Sequence, residues 1–205
     1  MLVLLILSAC EPSVSFSEPQ PKDAPILTSF PSFIQGNYQS ENSNATLKIN
    51  DRDIIINFAN DTKMHKKELD SSYFIHGNYM VNKKTKDSVK ISISGDTIVQ
   101  HIVGIDTIFS IGKGNILKKF KGHYFLNTRY NDSTWEVKRL SLEKSILTIA
   151  KIELDHIRDL DKLKIIIENP NDTISNRYHP SNKKFKQFES NGGFNGEDKF
   201  IKLKK

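Results

Sequence analysis

The spacing of the turn-forming residues restricts the fold of this chain more than any other feature of its sequence. From Phe33 onward, short runs rich in Ile, Val, Phe, Thr and Tyr are separated by Asn, Asp, Gly and Ser, at intervals of about 8–12 residues, as in antiparallel β proteins. We therefore expect a mainly β fold. It would be an antiparallel sheet or meander, arranged as a sandwich or a partly open barrel, with one short C-terminal helix.

The turn residues also predict individual strands. Asp51-Arg52, Gly95-Asp96 and Asn131-Asp132-Ser133 each stand between two strand-like runs and predict three hairpins. The predicted strands are residues 45–50, 53–58, 89–94, 97–103, 105–111, 122–130, 134–142, 146–152, 163–168 and 199–204.

Helix signals are concentrated near the C-terminus. Ser181 is a suitable N-cap for a helix over residues 181–190, and Asn191-Gly192-Gly193 would end it. Residues 152–163 are a weaker candidate for a second short helix.

Trp135 is the only tryptophan, and we expect it to fill part of the core. In the predicted strand 134–142, Trp135 and Val137 share one face while Leu140 and Leu142 share the other. A bulge near Lys138-Arg139 would bring all four to one face.

A short sequence recurs in the chain. FIQGNY at residues 33–38 returns as FIHGNY at 74–79, and more weakly as FKGHY at 120–124. We expect each copy to begin a β-meander, with its Gly allowing a bulge or a close approach and its Tyr in the core. Duplication and coincidence are both open explanations.

The N-terminal sequence indicates export. Residues 1–9 are apolar or small and are too short to cross a bilayer, which needs about 20 residues, so they suit the apolar region of a signal peptide. Leu7-Ser8-Ala9-Cys10 resembles the lipobox of bacterial lipoproteins. No Lys or Arg precedes the apolar run, and we therefore expect the translation start to lie upstream.

The lipobox resemblance implies cleavage before Cys10, diacylglycerol on its sulfur and acylation of the new N-terminus. Several acyl chains make a stable anchor. Residues 1–9 would then be a signal peptide, and the protein would be attached to a membrane of the cell envelope, the outer membrane in our interpretation. The alternative for Cys10 is an ordinary thiol.

Residues 10–32 differ in composition from the rest of the chain. Five of the seven prolines lie between Glu11 and Ser32, together with several serines. We expect an extended Pro/Ser-rich tether here and a single β-rich domain over residues 33–205. A fragment beginning near Thr28 should then fold alone, unless apolar tether residues cover a sheet edge or fill a groove: Val14, Phe16, Ile26, Leu27 and Phe30.

The segment from residue 119 to residue 152 contains the sequences GHYFLN and WEV. With the lipobox, the tether and the Lys/Phe-rich tail, it resembles small uncharacterised lipoproteins of Bacteroidetes. The resemblance extends over most of the chain. It implies an envelope location and no particular activity.

No common catalytic or cofactor motif is present. Gly-x-Ser-x-Gly, His-Glu-x-x-His, the phosphate loop and Cys-x-x-Cys are absent, and the six histidines are scattered. Asp155, His156, Asp159 and Asp161 are types that can ligate a cation, but only Asp159 and Asp161 alternate as in a Ca²⁺ loop, so we expect a solvated surface or a connection there. We therefore predict no catalytic residue, no cofactor and no metal.

The net charge of +6 is distributed over dispersed lysine pairs, and we expect no nucleic-acid partner. The favoured function is a non-catalytic binding or scaffold module for an envelope protein, a glycan or an apolar ligand. The alternative is an envelope hydrolase whose site is assembled from distant residues. A deep cleft with convergent carboxylates or a Ser–His pair would favour the enzyme. An apolar barrel interior would favour a ligand carrier, and a flat face with exposed aromatics would favour a partner protein.

Overall fold

A computed structural model describes residues 14–154, 157–167 and 177–204. The described chain contains two helices, α1 (Ile157–Lys164) and α2 (Asn182–Ser190), and a 3-10 turn at Lys66–Glu68. Its strands are β1 (Ser15–Phe16), β2 (Ile26–Leu27), β3 (Gly36–Ser40), β4 (Thr46–Ile49), β5 (Asp53–His65), β6 (Tyr73–His76), β7 (Tyr79–Asn82), β8 (Ser88–Ser94), β9 (Thr97–Ser110), β10 (Ile116–Phe120), β11 (His123–Asn131), β12 (Thr134–Glu143), β13 (Ile146–Lys151), β14 (Arg177–Tyr178) and β15 (Gly196–Lys202).

The strands form one large sheet, and the prediction of a mainly β antiparallel fold is confirmed. The order is β2-β10-β11-β12-β13-β15-β3-β4-β5-β9-β8-β7-β6. The short strand β1 pairs antiparallel with β12 and parallel with β14. The sheet curls around an apolar cluster but does not close into a barrel.

The larger part of the sheet, here called the body, has apolar side chains on both faces. It comprises β1–β4, β10–β15, both helices and the adjoining ends of β5 and β9. Its inner cluster consists of side chains from one face of the sheet, contributed by every second residue of strands that extend from β10, with Leu117, to β9, with Phe109. Its outer cluster lies between the opposite face and α2, where the Phe125 and Phe185 rings meet edge to face at 5.3 Å.

Because both faces are buried, the strand around Trp135 needs no bulge. Trp135 and Val137 belong to the outer cluster, and Leu140 belongs to the inner one. The pairing of β11 with β12 continues in one register from Trp135 to Leu140. The predicted bulge at Lys138-Arg139 is therefore wrong, while Trp135 is buried as expected.

The remaining part of the sheet, here called the wing, comprises β6, β7, β8, residues 57–65 of β5 and residues 97–105 of β9. A small cluster built on Met80, Ile91 and Ile98 covers part of one face, on which Ile93 and Ile102 remain exposed. The predicted strands 97–103 and 105–111 merge into the single strand β9. Gly104 does not interrupt this strand. The Phe58 ring lies over Gly104, and a Cβ added to this residue would be 2.5 Å from Phe58 Cζ.

The N-terminal segment differs from the expected tether. Residues 14–31 lie on the body: Phe16 pairs with Trp135 and is fully buried, and Phe30 is buried in the inner cluster. Strand β2 pairs with β10. Proline is compatible with this packing because only two short stretches of the segment form strands. Apolar residues of the segment expected to be a tether therefore cover part of the sheet.

Lys118 and Asn127 attach the same segment through polar contacts. The buried Lys118 Nζ donates to the carbonyl oxygens of Pro19, Pro21 and Lys22 at 2.9, 2.8 and 2.7 Å. The Asn127 side chain accepts from the Gln20 N–H at 2.6 Å and donates to the Gln20 carbonyl at 2.9 Å.

The three predicted hairpins and helix α2 are present, and Ser181 occupies the N-cap position of α2. The predicted strand 163–168 is wrong over its described residues, since α1 extends to Lys164 and a turn follows. Leu163 and Ile166, three residues apart, both enter the outer cluster, which requires helix-like spacing. The last strand, β15, begins at Gly196 and ends at Lys202.

The repeated sequence serves different purposes in its three copies. Tyr38 and Tyr124 are buried in the inner cluster as expected. Burial raises the pKa of Tyr38 to about 12, and its hydroxyl donates to the Ile34 carbonyl. Gly77-Asn78, by contrast, forms the turn between β6 and β7, and Tyr79 is 48% exposed. The core role expected for Tyr79 is therefore wrong.

Candidate functional site

One face of the wing is open to solvent and carries apolar side chains. Along β9, Val103 and Ile105 are 77% and 76% exposed. Residues directly opposite each other in antiparallel strands lie on the same face, so the pairings of β5 to β9 define this surface. We call it the wing face: Asn57, Ala59, Asp61, Lys63, His65, Phe74, His76, Tyr79, Val81, Ser88, Lys90, Ser92, Ser94, Thr97, Val99, His101, Val103 and Ile105.

Three polar side chains at its centre form a hydrogen-bonded chain. His101 Nδ1 lies 2.7 Å from Asp61 Oδ1, and His101 Nε2 lies 3.0 Å from Ser92 Oγ. The side chains of His101 and Asp61 are 34% and 61% exposed. The chain thus has the order nucleophile, base and carboxylate that activates serine in hydrolases, but it lies on an open sheet and not in a cleft.

The sheet register creates this arrangement. Asp61 lies directly opposite His101 across β5 and β9, and Ser92 lies diagonal to His101, which pairs with Lys90. The predicted Gly95-Asp96 hairpin already implies that Ser92 and His101 share a face. Asp61 lies beyond the predicted strand 53–58, so the sequence carried no signal for it.

A second histidine takes part in a less accessible cluster beneath α2. His123 Nδ1 contacts the carboxylate of Glu189, a residue that is 8% exposed. Arg139 lies 3.9 Å from Glu189 and 3.7 Å from Glu197, with its guanidinium over the Phe194 ring. These contacts fasten α2 to the sheet, and we assign them a structural role.

A cavity of about 460 Å³ opens between the β3–β4 turn and strands β12, β13 and β15. Three of its lining residues are lysines, which suggests a site for an anion. Each lysine, however, is ion-paired with a glutamate on its own strand or just beyond it. The pairs are Lys138–Glu136 at 3.4 Å, Lys151–Glu153 at 2.8 Å and Lys199–Glu197 at 3.2 Å. The charge available to a ligand is correspondingly small.

Several residues singled out in the sequence lie outside the described residues. These are Cys10, Asp155, His156 and the side chain of Asp159. Asp161 is described, and its carboxylate pairs with Lys164 at 2.6 Å. Within the described ranges, no three His, Cys, Asp or Glu side chains converge as a metal ion would require.

Neither α1 nor α2, the helices in the described part of the chain, has the length and apolarity needed to cross a bilayer. No family model matches this chain, and comparison with the curated proteins and with the solved structures gives no match either.

The described geometry separates the three functional alternatives. Buried side chains of the inner cluster occupy the interior of the curled sheet, and the cavity opens onto two of them, Ile149 and Phe200. The three lysines and Asp198 that share its lining disfavour a carrier of apolar ligands. The wing face has exposed aromatic and β-branched side chains, as expected for a surface that binds a protein. A Ser–His pair is present on the same face, without a deep cleft around it.

Proposed function

We propose that this protein is a lipoprotein of the bacterial cell envelope. It is anchored to a membrane, the outer membrane in our interpretation, through acylated Cys10, and it acts as a module that binds a partner protein. The lipobox-like sequence before Cys10 supports the anchor. The observation that carries the binding role is the exposure of Val103 and Ile105, two residues apart on β9 and beyond the end of its pairing with β8.

Burial of these two side chains would favour association. Fully burying a Val or Ile side chain contributes about 1.5–3 kcal/mol relative to leaving it exposed. Tyr79 and Phe74, 48% and 40% exposed, extend the apolar surface toward the edge of the sheet. Aromatic side chains of this kind are enriched where interfaces derive most of their binding energy.

The experiment is site-specific photo-crosslinking of the lipidated full chain in its native envelope. A crosslinker at Val103 or Ile105 should give one discrete adduct, and Val103→Asp should abolish the adduct formed from position 105. The matched control is Ile201, which is 46% exposed on the body. Adducts of equal yield from positions 201 and 105, or none from either wing position, would contradict the proposed binding surface.

The anchor has its own test. With a complete signal sequence, Cys10→Ala should leave an unlipidated, uncleaved precursor. Mass spectrometry should find acyl groups on Cys10 of the mature wild-type protein. A free Cys10 thiol on that protein would rule out the anchor, and it would leave the binding proposal for the wing face unaffected.

A further inference from the structure

We propose that Ser92, His101 and Asp61 form an acyl-transfer site on the wing face, with Ser92 as the nucleophile toward activated carboxylic esters. This activity goes beyond the proposed binding function and does not depend on it. The observation behind it is the continuous chain of two hydrogen bonds, at 3.0 and 2.7 Å, that joins the three side chains.

The two hydrogen bonds assign the roles of the imidazole nitrogens. When Nδ1–H of His101 donates to Asp61, the lone pair of Nε2 points to the Ser92 hydroxyl, which donates to it. His101 is then the general base, and Asp61 is the positioning residue that holds the required tautomer. All three residues lie on strands, which hold the side chains more precisely than loops do.

The surroundings of Ser92 leave room for a substrate. Strand β7 pairs with β8 only from Ser88 to Lys90, so Ser92 lies past the end of β7. The Ile91 N–H donates to Asn78 at 2.8 Å. Because strand amides alternate in direction, the Ile93 N–H points to the same edge, beyond the last β7 pair. It can there donate to the oxyanion that forms on the ester carbonyl.

An apolar neighbour of Ser92 indicates the acyl group. Val99 lies directly opposite Ser92 on the same face. A short alkyl chain on the reacting carbonyl would lie against this side chain. We therefore assign the site to esters of short-chain fatty acids with a good leaving group, since an open face provides little binding energy for a poor substrate.

The reaction is balanced without any co-reactant other than water. Ser92 Oγ bonds to the ester carbonyl carbon while its proton passes to His101 Nε2. The bond to the leaving oxygen breaks, and that oxygen receives the proton from His101. Water then attacks the acyl-Ser92 carbonyl and gives a proton to His101. The carboxylic acid departs, and the proton returns to Ser92 Oγ.

The test uses the purified full chain, p-nitrophenyl butyrate as substrate and a fluorophosphonate as active-serine probe. Wild type should hydrolyse the ester faster than buffer and carry the phosphonyl adduct on the peptide containing Ser92. We expect Ser92→Ala and His101→Gln to lower the rate by at least 10²-fold, and Asp61→Asn by at least 10-fold. The control is Ser71→Ala, an exposed serine in the turn before β6 and outside the wing face, which should retain the wild-type rate.

Circular dichroism on each variant separates lost chemistry from lost folding. Because Asp61→Asn keeps the size and the hydrogen-bonding ability of the side chain, a loss of rate in a folded Asp61→Asn protein would support the positioning role. The absence of an adduct on Ser92 in wild type would overturn the proposal. So would equal labelling of Ser92 in wild type and His101→Gln.

Discussion

The body and the wing are parts of the same sheet, but they bury it differently. In the body, residues that alternate along one strand enter two clusters, as Trp135 and Leu140 do on β12. In the wing, a cluster of three buried side chains covers only part of one face, and the other face exposes Val103 and Ile105. Stability is therefore concentrated where both faces of the sheet are covered, and the face left open is free to bind a partner.

Two long strands connect these regions. The pairing of β5 with β9 runs from Asp53 to His65, with a register shift only between Ile54 and Ile55. The Phe58 ring covers Gly104 near the middle of this ladder. The wing is therefore held to the body mainly by backbone hydrogen bonds, and its local unfolding should leave the body intact.

The largest expected effect comes from removing the N-terminal segment. A chain beginning at residue 28 lacks Val14, Phe16 and the three carbonyls that accept from Lys118. Losing a buried Phe costs about 3–5 kcal/mol, and with the other losses this approaches a typical total stability of about 5–15 kcal/mol. Circular dichroism melts should show no cooperative transition.

The matched deletion removes part of the wing. Replacing residues 73–82, the hairpin of β6 and β7, with a short turn should leave the body's transition within a few degrees of wild type.

A chain that begins at residue 28 and melts like the longer chain would show instead that residues 14–27 are dispensable. The body would then begin near Thr28, as the proline content suggested.

This N-terminal segment shows what the sequence could and could not predict. Turn residues such as Gly95-Asp96 act locally, so the hairpins and the mainly β class were predicted correctly. Phe16 packs on Trp135, more than a hundred residues away, and no local pattern reports such a contact. Composition indicated a tether because proline prevents regular pairing, although irregular segments can still bury side chains.

Substituting a single core residue should lower the free energy of unfolding by less than the deletion does, and one residue from each region can be compared. Trp135→Ala opens a cavity in the outer cluster and should lower the free energy of unfolding of the whole chain by about 3–5 kcal/mol. Ile98 is fully buried in the wing. Ile98→Ala should release the wing with little effect on the main transition, and hydrogen exchange should rise only in β6–β8 and the outer parts of β5 and β9.

If Trp135→Ala and Ile98→Ala lowered the midpoint of a single unfolding transition by the same amount, the independent unfolding of the wing would be contradicted. The body and wing would then unfold as one unit, and the open face would be as rigid as the body. Fluorescence gives an independent check on Trp135, since iodide should quench its emission only weakly in the native state. Full quenching would place the ring at the surface.

The candidate site was predictable to a smaller extent than the fold. Ser92 and His101 share a face because of a two-residue hairpin that the sequence reveals. Asp61 joins them only because β5 continues past Phe58, through Asn60 and Asp61, which have low strand propensity. The pairing with β9 holds these residues in the strand, so this part of the site is a tertiary effect.

The smallest of the three effects concerns the lysine that attaches the N-terminal segment to the body. Lys118→Met removes the donor to three carbonyls, and we expect a loss of about 1–3 kcal/mol at neutral pH because those acceptors lose their partner. Lys119→Met is the matched control. Lys119 is exposed on the next position of β10, with its Nζ 5.7 Å from the centre of the Tyr124 ring. Loss of this contact should lower the free energy of unfolding by no more than about 1 kcal/mol.

The pH dependence distinguishes a buried ammonium from a surface one. Burial lowers the pKa of Lys118 from its usual value of 10.5, while the charges of Glu18 and Asp23 act in the opposite direction. Between the lowered pKa and 10.5 the unfolded chain binds more protons than the folded one, so the free energy of unfolding contributed by this residue rises with pH. Urea titrations between pH 7 and 10.5 should show this rise in wild type and in Lys119→Met but not in Lys118→Met. The same rise in Lys118→Met would mean that another group causes it and that Lys118 is hydrated in the native state.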